Sequence, residues 1–154
     1  AINWTLMNSR FPKIILIEDN TDDAELTGIA LERCGYYDDT LWLKDGVEAH
    51  DFFLLNDEDS DGIQRSDIRL VFLDLKMPRM NGFDFLKKLR AHERYKFLPV
   101  SVLSSSGVDM DVKKSLEIGA NSYIVKPIDF KAQTASIKKA CDFWIDTHVS
   151  AEEV

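Results

Sequence analysis

Four of the five short apolar runs in this sequence are followed at once by side chains that can do chemistry. Glu18 and Asp19 follow the first run, and Asp74 follows the third. Ser104 and Lys126 follow the fourth and the fifth. Carboxylate oxygens are the ligands that hard divalent cations prefer, and hydroxyl and ammonium groups suit the binding of phosphoryl oxygens. The five residues can form one site only if the fold brings the ends of these runs together.

The apolar runs predict β-strands buried on both faces, because they are short and rich in β-branched and aromatic side chains. They lie at residues 14–17, 40–43, 70–73, 100–103 and 123–125. Amphipathic stretches between the runs predict helices. The first helix is predicted to begin after the N-cap Thr21 and to end at Gly35, and the others to span residues 47–55, 83–91, 110–118 and 131–148.

Strands and helices in alternation predict an α/β fold with a doubly wound, five-stranded parallel sheet. The common strand order is 2-1-3-4-5, and ligands bind beyond the carboxyl ends of the strands where that order reverses. The candidate side chains all follow strands at this edge. Clustered carboxylates repel one another unless a cation lies among them, and oxygen ligands favour Mg²⁺. Histidine and cysteine do not follow these strands, so zinc is not expected.

This set of groups suits phosphoryl transfer onto a carboxylate. Asp74 would be the nucleophile, Lys126 and Mg²⁺ would neutralise the phosphoryl oxygens, and the Ser104 hydroxyl would donate to one of them. Taken singly, an acid at a strand end is more often a helix cap, and a lysine before proline is more often a surface residue. Their coincidence at one edge of the sheet favours a site.

The segments that carry these residues resemble the receiver domain of two-component response regulators. The resemblance rests on IILIEDN at residues 14–20, LDLKMPRMNG at 73–82, LSSS at 103–106 and GANSYIVKP at 119–127. The receiver domain is expected to span residues 13–148 and to have the flavodoxin-like receiver fold. Residues 1–12 are expected to be an N-terminal arm or added expression residues, and residues 149–154 a C-terminal tail. Within the family, the chain is most similar to stand-alone receivers of the cyanobacterial phytochrome regulator type.

The resemblance implies that Asp74 accepts a phosphoryl group from the histidine of a sensor histidine kinase, and the similarity to phytochrome regulators points to a kinase of the phytochrome type. It implies that Mg²⁺ is held by Glu18, Asp19, Asp74 and the backbone carbonyl of Lys76, and that Lys126 pairs with the phosphoryl group. The protein would be a phosphoacceptor in signalling, which catalyses only its own phosphotransfer and dephosphorylation.

The resemblance also implies a conformational switch. Ser104 would move toward the phosphoryl group, and Tyr123 would turn inward into the vacated space. The face formed by the fourth helix, the fifth strand and the fifth helix would then change for partner binding, dimerisation or onward phosphorelay. A cis peptide bond between Lys126 and Pro127 is expected as well.

Two residues are expected to tune the lifetime of the acyl phosphate. Lys76 and Ser106 each lie two residues beyond a central site residue, on the route of an attacking water. Lys76 also weighs against a phosphatase of the haloacid dehalogenase type, which needs a second acid at that position. Glu18-Asp19-Asn20 weighs against a flavin-binding module, which needs a loop rich in glycine, serine and threonine there. An adaptor with a receiver fold that is never phosphorylated stays open as an alternative.

Composition narrows the choice of partner and compartment. The chain has 154 residues and a formal net charge of −8, which disfavours nucleic acid as a partner. No apolar run approaches the roughly 20 residues that span a bilayer, and the first residues do not form a signal peptide. A cytoplasmic location without membrane contact is therefore expected, with Cys34 and Cys141 as free thiols.

Two further features lie outside the predicted site. Residues 56–67 form an acidic connection that is expected to be solvated rather than to bind calcium, because the bidentate glutamate of a calcium loop is missing. In the last helix, Phe143 lies off the apolar stripe that contains Ile137 and Trp144. It is expected to be exposed near Tyr123 and to contribute to a homodimer contact.

Overall fold

The structure is a computed structural model that describes residues 9–56, 59 and 61–153. Five parallel strands form one sheet in the order β2-β1-β3-β4-β5, which confirms the predicted fold. The strands are β1 (Ile14–Ile17), β2 (Thr40–Leu43), β3 (Leu70–Leu73), β4 (Val100–Ser104) and β5 (Ser122–Val125). The helices are α1 (Thr21–Cys34), α2 (Gly46–His50), α3 (Gly82–Ala91), α4 (Asp109–Ile118) and α5 (Phe130–Cys141).

Apolar side chains cover both faces of the sheet, which explains why the strands are almost continuously apolar. Ile15 and Ile17 of β1 point into a cluster with Phe85 and Leu86 of α3. Alternate residues of the same strand, such as Ile14, point into a second cluster with α1 and α5. The sheet is therefore rigid, and the carboxyl ends of its strands are held at one edge.

Two predicted helices change their hydrogen-bonding pattern part-way. The predicted helix 47–55 is the short α2 followed by a π-helical turn at Asp51–Leu55. The predicted helix 131–148 is α5 followed by a π-helical turn at Asp142–Thr147. Amphipathic spacing predicts a helix and its buried side, but it does not distinguish the α from the π pattern.

The first helix begins one residue earlier than its predicted cap implies. Asn20, not Thr21, is the N-cap, because its Oδ1 accepts a hydrogen bond from the Asp23 N–H at 2.9 Å. Thr21 is the first helical residue. Both side chains can cap a helix, and the extended backbone at Asn20 decides between them. Gly35 ends the helix with a φ of 86°, a left-handed conformation that favours glycine.

The connection before β3 is less solvated than expected. Arg65 is buried, and its guanidinium donates to both Asp61 oxygens, at 2.5 and 2.9 Å. It also donates to the Phe52 carbonyl at 2.8 Å and lies 3.9 Å above the Phe52 ring. The Asp61 carboxylate therefore pairs with an internal arginine. Residues 57, 58 and 60 of this connection lie outside the described residues.

The expected terminal segments are described only in part. Residues 1–8 of the expected arm lie outside the described residues, and the Ser9 N–H donates to the Thr40 carbonyl at 3.1 Å. In the expected tail, Ser150 is buried and Glu153 pairs with Arg69 at 3.4 Å. The boundaries of the predicted domain stay a prediction.

Two expectations drawn from composition can be compared with the structure. Cys34 and Cys141 are free, as predicted, and burial raises the pKa of both thiols. Across the described part of the chain, every helix is too short or too polar to cross a membrane.

Candidate functional site

Three carboxylates meet at the edge where β1 and β3 end. The register that pairs Ile17 with Leu73 places Glu18 and Asp19 beside Asp74. One carboxylate oxygen from each acid lies within 4.8 Å of the others. The Asp74 N–H donates to the Ile17 carbonyl at 3.1 Å, which continues the sheet ladder into the site. Backbone hydrogen bonding between β1 and β3 thus holds the three acids together, as predicted from their positions at the ends of the strands.

The positive charge of Lys126 does not fully compensate the three carboxylates of the acidic cluster. Burial raises the pKa of Glu18 to about 8, and the adjacent Asp74 carboxylate adds to the rise. Burial and Asp74 also raise the pKa of Asp19. Lys126 opposes both shifts without cancelling them. Clustered carboxylates with raised pKa values are a set of hard oxygen donors that fits a divalent cation such as Mg²⁺.

Lys126 is the ammonium group of the site. Its Nζ lies 2.5 Å from Glu18 Oε1 and 3.3 Å from Asp23 Oδ2. Burial lowers the pKa of Lys126, but the Glu18, Asp74 and Asp23 carboxylates together outweigh burial and hold it above its ordinary value. The sequence did not single out Asp23 as a partner. The signal was its position in the first turn of the helix that begins at the site.

The hydroxyl side of the site comprises Ser104 and the segment that follows it. Ser104 is fully buried, and its Oγ accepts a hydrogen bond from the Ser106 N–H at 3.2 Å. The Ser104 carbonyl accepts from the Lys126 N–H at 2.7 Å, so β4 and β5 stay paired up to the site. The Tyr123 hydroxyl donates to the Ser106 carbonyl at 2.7 Å. The two predicted switch residues are therefore linked through Ser106.

Two expectations about neighbouring residues have different outcomes. The Lys76 N–H donates to Asp74 Oδ1 at 3.4 Å, and Lys76 is exposed beside the acids. The cis bond expected before Pro127 is wrong for this structure, because no peptide bond among the described residues is cis. That expectation rested on resemblance alone, and the trans form of a bond to proline is favoured by about 0.5–1 kcal/mol.

Comparisons with known proteins agree with this geometry. The model of the response regulator receiver domain family matches residues 14–138. The chain belongs to this family. Receiver domains are signalling proteins rather than classical enzymes, and they receive phosphoryl groups from histidine kinases.

The receiver is similar to regulators from several sources. It is 34% identical over 132 residues to the probable methanogenesis regulatory protein FilR2 of Methanothrix harundinacea, which covers 86% of this chain and 83% of the relative. The phosphorylated cyanobacterial phytochrome response regulator RcpA is 28% identical, with a TM-score of 0.80 over 92% of this chain and 99% of that one. The Mn²⁺-bound response regulator Rcp1 is 28% identical, with a TM-score of 0.76 over 90% and 99%.

A glycine and an ion pair hold the loop between β3 and α3 close to the acidic cluster of this receiver. A Cβ atom on Gly82 would lie 2.5 Å from the Asp74 carbonyl oxygen, so a side chain there would push the loop away. Arg79 has a φ of 64°, and its Nη2 lies 2.5 Å from Asp45 Oδ2. Asp45 also caps α2 by accepting from the Glu48 N–H at 2.8 Å. The sequence did not single out this contact between α2 and the loop.

Trp42 is a further residue that the sequence did not connect with the site. Its indole N–H donates to the Glu18 carbonyl at 2.9 Å, and its side chain is buried. The carbonyl belongs to one of the three acids. This hydrogen bond therefore connects the indole of Trp42 with the backbone of the acidic cluster.

Phe143 is exposed as predicted, but it does not lie on the same face of the sheet as Tyr123. It is 48% exposed, and with Trp144 and Ile124 it lines an apolar depression between α5 and β5. Its ring packs edge-on against Trp144, with centroids 4.8 Å apart. Tyr123 packs into the cluster on the other face of the sheet. Ile124, which lines the depression with Phe143, follows Tyr123 in β5, and successive residues of a strand point to opposite faces of the sheet.

Proposed function

We propose that this receiver accepts a phosphoryl group on Asp74 from the histidine of a sensor kinase, with Mg²⁺ bound at the acidic cluster. The observation that carries the proposal is the convergence of three carboxylates within 4.8 Å of one another, with the Lys126 ammonium bonded to one of them. A phosphorylated neighbour, RcpA, and a Mn²⁺-bound neighbour, Rcp1, support it. Because RcpA is a cyanobacterial phytochrome response regulator, a phytochrome-type kinase is the first partner to test.

The ligands proposed for Mg²⁺ are Glu18, Asp19, Asp74 and the backbone carbonyl of Lys76. When bound, the ion would supply positive charge next to the phosphoryl oxygens. The pKa values of Glu18 and Asp19 are raised, and a bound cation would lower them again because it favours the ionised carboxylates.

The phosphotransfer step is a displacement at phosphorus. A carboxylate oxygen of Asp74 attacks and forms the new P–O bond, while the P–N bond to the donor imidazole breaks and the imidazole leaves with the electron pair. Lys126 is already beside the acids, and it would exchange an ion pair with Glu18 for one with the phosphoryl oxygens. The Ser104 hydroxyl would donate to another phosphoryl oxygen.

Return to the ground state requires water to attack the acyl phosphate. Lys76 is exposed beside Asp74, and we propose that its side chain controls the approach of that water. We propose that Ser106, which is bonded to the Ser104 hydroxyl, also affects the lifetime of the acyl phosphate. Autodephosphorylation is the only hydrolysis proposed for this protein.

The test of phosphorylation is intact mass after incubation with Mg²⁺ and a small phosphodonor such as acetyl phosphate. The wild type should gain the mass of one phosphoryl group, and Asp74→Asn should gain none, because an amide does not form the acyl phosphate. Asp84→Asn is the matched control, since Asp84 is an exposed acid in the first turn of α3. Failure of the wild type to gain mass from either acetyl phosphate or a phosphorylated kinase would favour the adaptor alternative.

We also propose a homodimer through the face formed by α4, β5 and α5. Its support is the apolar depression lined by Ile124, Phe143 and Trp144, together with exposed Val125 and Ile128 nearby along the chain. Apolar side chains grouped on a surface mark contact sites more often than scattered ones do.

The proposed dimer predicts a change in sedimentation. Phe143→Ser should weaken self-association about tenfold or more, because a central aromatic contributes much of the energy of an interface. Leu55→Ser is the control, since Leu55 is also exposed but follows α2, which packs near β2 at the opposite edge of the sheet from β5. Equal dissociation constants for wild type and Phe143→Ser would contradict a dimer through this depression.

A further inference from the structure

We propose that Asp111 is a latch that acts through Ser106 and holds the β4–α4 loop, residues 105–108, in the arrangement of the unphosphorylated protein. The inference rests on the proposed function, because it concerns how phosphorylation of Asp74 is transmitted to α4. Asp111 bonds to Ser106 rather than to the three acids, so it is a positioning residue.

Ser106 is the centre of the hydrogen bonds in this loop. Its N–H donates to Ser104 Oγ at 3.2 Å, and its carbonyl accepts from the Tyr123 hydroxyl at 2.7 Å. Its own hydroxyl donates to Asp111 Oδ2 at 2.7 Å. The side chain is only 6% exposed, so water competes little for these bonds. Three polar groups of one residue are thus bonded to β4, β5 and α4.

The start of α4 has no side-chain cap from its own N-cap residue. The N-cap is Val108, whose side chain accepts no hydrogen bond. The Ser106 hydroxyl oxygen instead accepts from the Val108 N–H at 3.4 Å while it donates to Asp111. Ser106 thus supplies an acceptor for the N–H of the N-cap residue, and Asp111 holds the Ser106 hydroxyl in that position.

Phosphorylation would break one of the three connections. If the Ser104 hydroxyl turns to a phosphoryl oxygen, the Ser106 N–H loses its acceptor. The bond to Asp111 then opposes any movement of the loop. A hydroxyl bonded to a carboxylate forms a charge-assisted hydrogen bond, which is stronger than one between neutral groups, so it biases the equilibrium toward the arrangement seen here. Removing it should raise the population of the other arrangement.

The test compares the binding of beryllium fluoride, a phosphoryl analogue, in the presence of Mg²⁺. Asp111→Ala should bind it about three- to tenfold more tightly than wild type, because affinity scales with the fraction of protein already in the competent arrangement. Asp109→Ala is the matched control: Asp109 is the other acid in the first turn of α4 and is exposed. It should bind like wild type, since both substitutions remove one charge from the helix start but only one removes the bond to Ser106.

A double-mutant cycle assigns the effect to the contact. Ser106→Ala removes the hydroxyl from the other side, so adding Asp111→Ala to it should produce no further tightening. Amide hydrogen exchange over residues 105–112 supplies a second readout without any phosphodonor, and Asp111→Ala should exchange faster than Asp109→Ala. If Asp111→Ala folds poorly, Asp111→Asn keeps the side-chain shape with a weaker, neutral acceptor and should show a smaller shift in the same direction.

The outcomes separate this inference from the proposed function. If wild type gains a phosphoryl group but Asp111→Ala and Asp109→Ala match it in analogue affinity and exchange, the latch is overturned and phosphorylation stands. Weaker analogue binding by Asp111→Ala would overturn it too, because Asp111 would then favour the phosphorylated arrangement. If wild type neither gains a phosphoryl group nor binds the analogue, the proposed function fails and the inference fails with it.

Discussion

Replacement of Arg65 by methionine is expected to lower the free energy of unfolding by about 3 kcal/mol, although Arg65 lies away from the acidic cluster. The guanidinium has no side-chain exposure and donates to Asp61 and to the carbonyls of Phe52 and Ile63. Methionine would fill similar space but leave those carbonyls without a donor. The Asp61 side chain is 38% exposed and can be hydrated, so the expected loss comes mainly from the carbonyls left without a donor.

Urea unfolding followed by tryptophan fluorescence measures this effect, because unfolding exposes the buried indole of Trp42. Arg79→Met is the matched control, because Arg79 lies 2.5 Å from Asp45, as Arg65 does from Asp61, but its side chain is 65% exposed. An exposed pair contributes about 0–1 kcal/mol, so the control should change little. Arg65→Lys should fall between the two, since it keeps the charge but loses the fork of donors. Equal stability of Arg65→Met and Arg79→Met would show that the Arg65 contacts contribute nothing measurable.

In the presence of a chelator, the protein is expected to become less stable as the pH rises from about 5 to about 8.5. Burial, aided by Asp74, raises the pKa of Glu18 from 4.5 to about 8 in the folded state. Between these values the folded protein retains a proton that the unfolded chain has lost, so raising the pH favours unfolding. The pKa of Asp19 is raised in the same direction and adds to the effect.

Other shifted groups do not reverse this trend. The raised pKa of Lys126 contributes stability that is present below 10.5 and lost only above the range considered. The pKa values of Asp45 and Asp61 are lowered from 3.8 by hydrogen bonds, so their stabilising contribution is complete above that value. Each pKa unit corresponds to about 1.4 kcal/mol, and the expected loss is therefore a few kcal/mol.

Mg²⁺ should remove most of this pH dependence. Cation binding requires ionised carboxylates and stabilises only the folded state, so stabilisation by Mg²⁺ should increase with pH. The measurement is urea unfolding across the pH range with chelator and with excess Mg²⁺. Glu18→Gln should flatten the chelator curve, whereas Glu32→Gln, at an exposed position of α1, should leave it unchanged. Constant or rising stability with chelator would contradict the electrostatic description of the cluster.

The strands were predictable because their signal is local. The bounds of β1, β2 and β3 agree with the predicted runs, and β4 and β5 each extend one residue beyond theirs. A strand buried on both faces must be apolar at nearly every position, so its composition alone marks it. The helix ends were less predictable, because Asn20 and Thr21 are both good caps and the backbone conformation decides between them.

Burial of charged residues was the main feature that the sequence did not predict. Arg65 lies in a polar, acidic segment that is typical of a solvated loop, yet it is buried against Phe52. The residue that makes this possible is 13 positions away. A contact of that kind depends on how two segments pack, and no pattern within either segment contains it.

The sequence by itself determined which chemical groups lie at one edge of the sheet, because parallel strands all present their carboxyl ends at the same edge and these groups directly follow the strands. Only the tertiary structure decided which of those groups touch. Lys126 pairs with Glu18 and Asp23 across more than a hundred residues of chain. The raised pKa of Glu18 likewise follows from burial that packing creates. Charge interactions depend on distance and on exclusion of water, and both are properties of the folded chain.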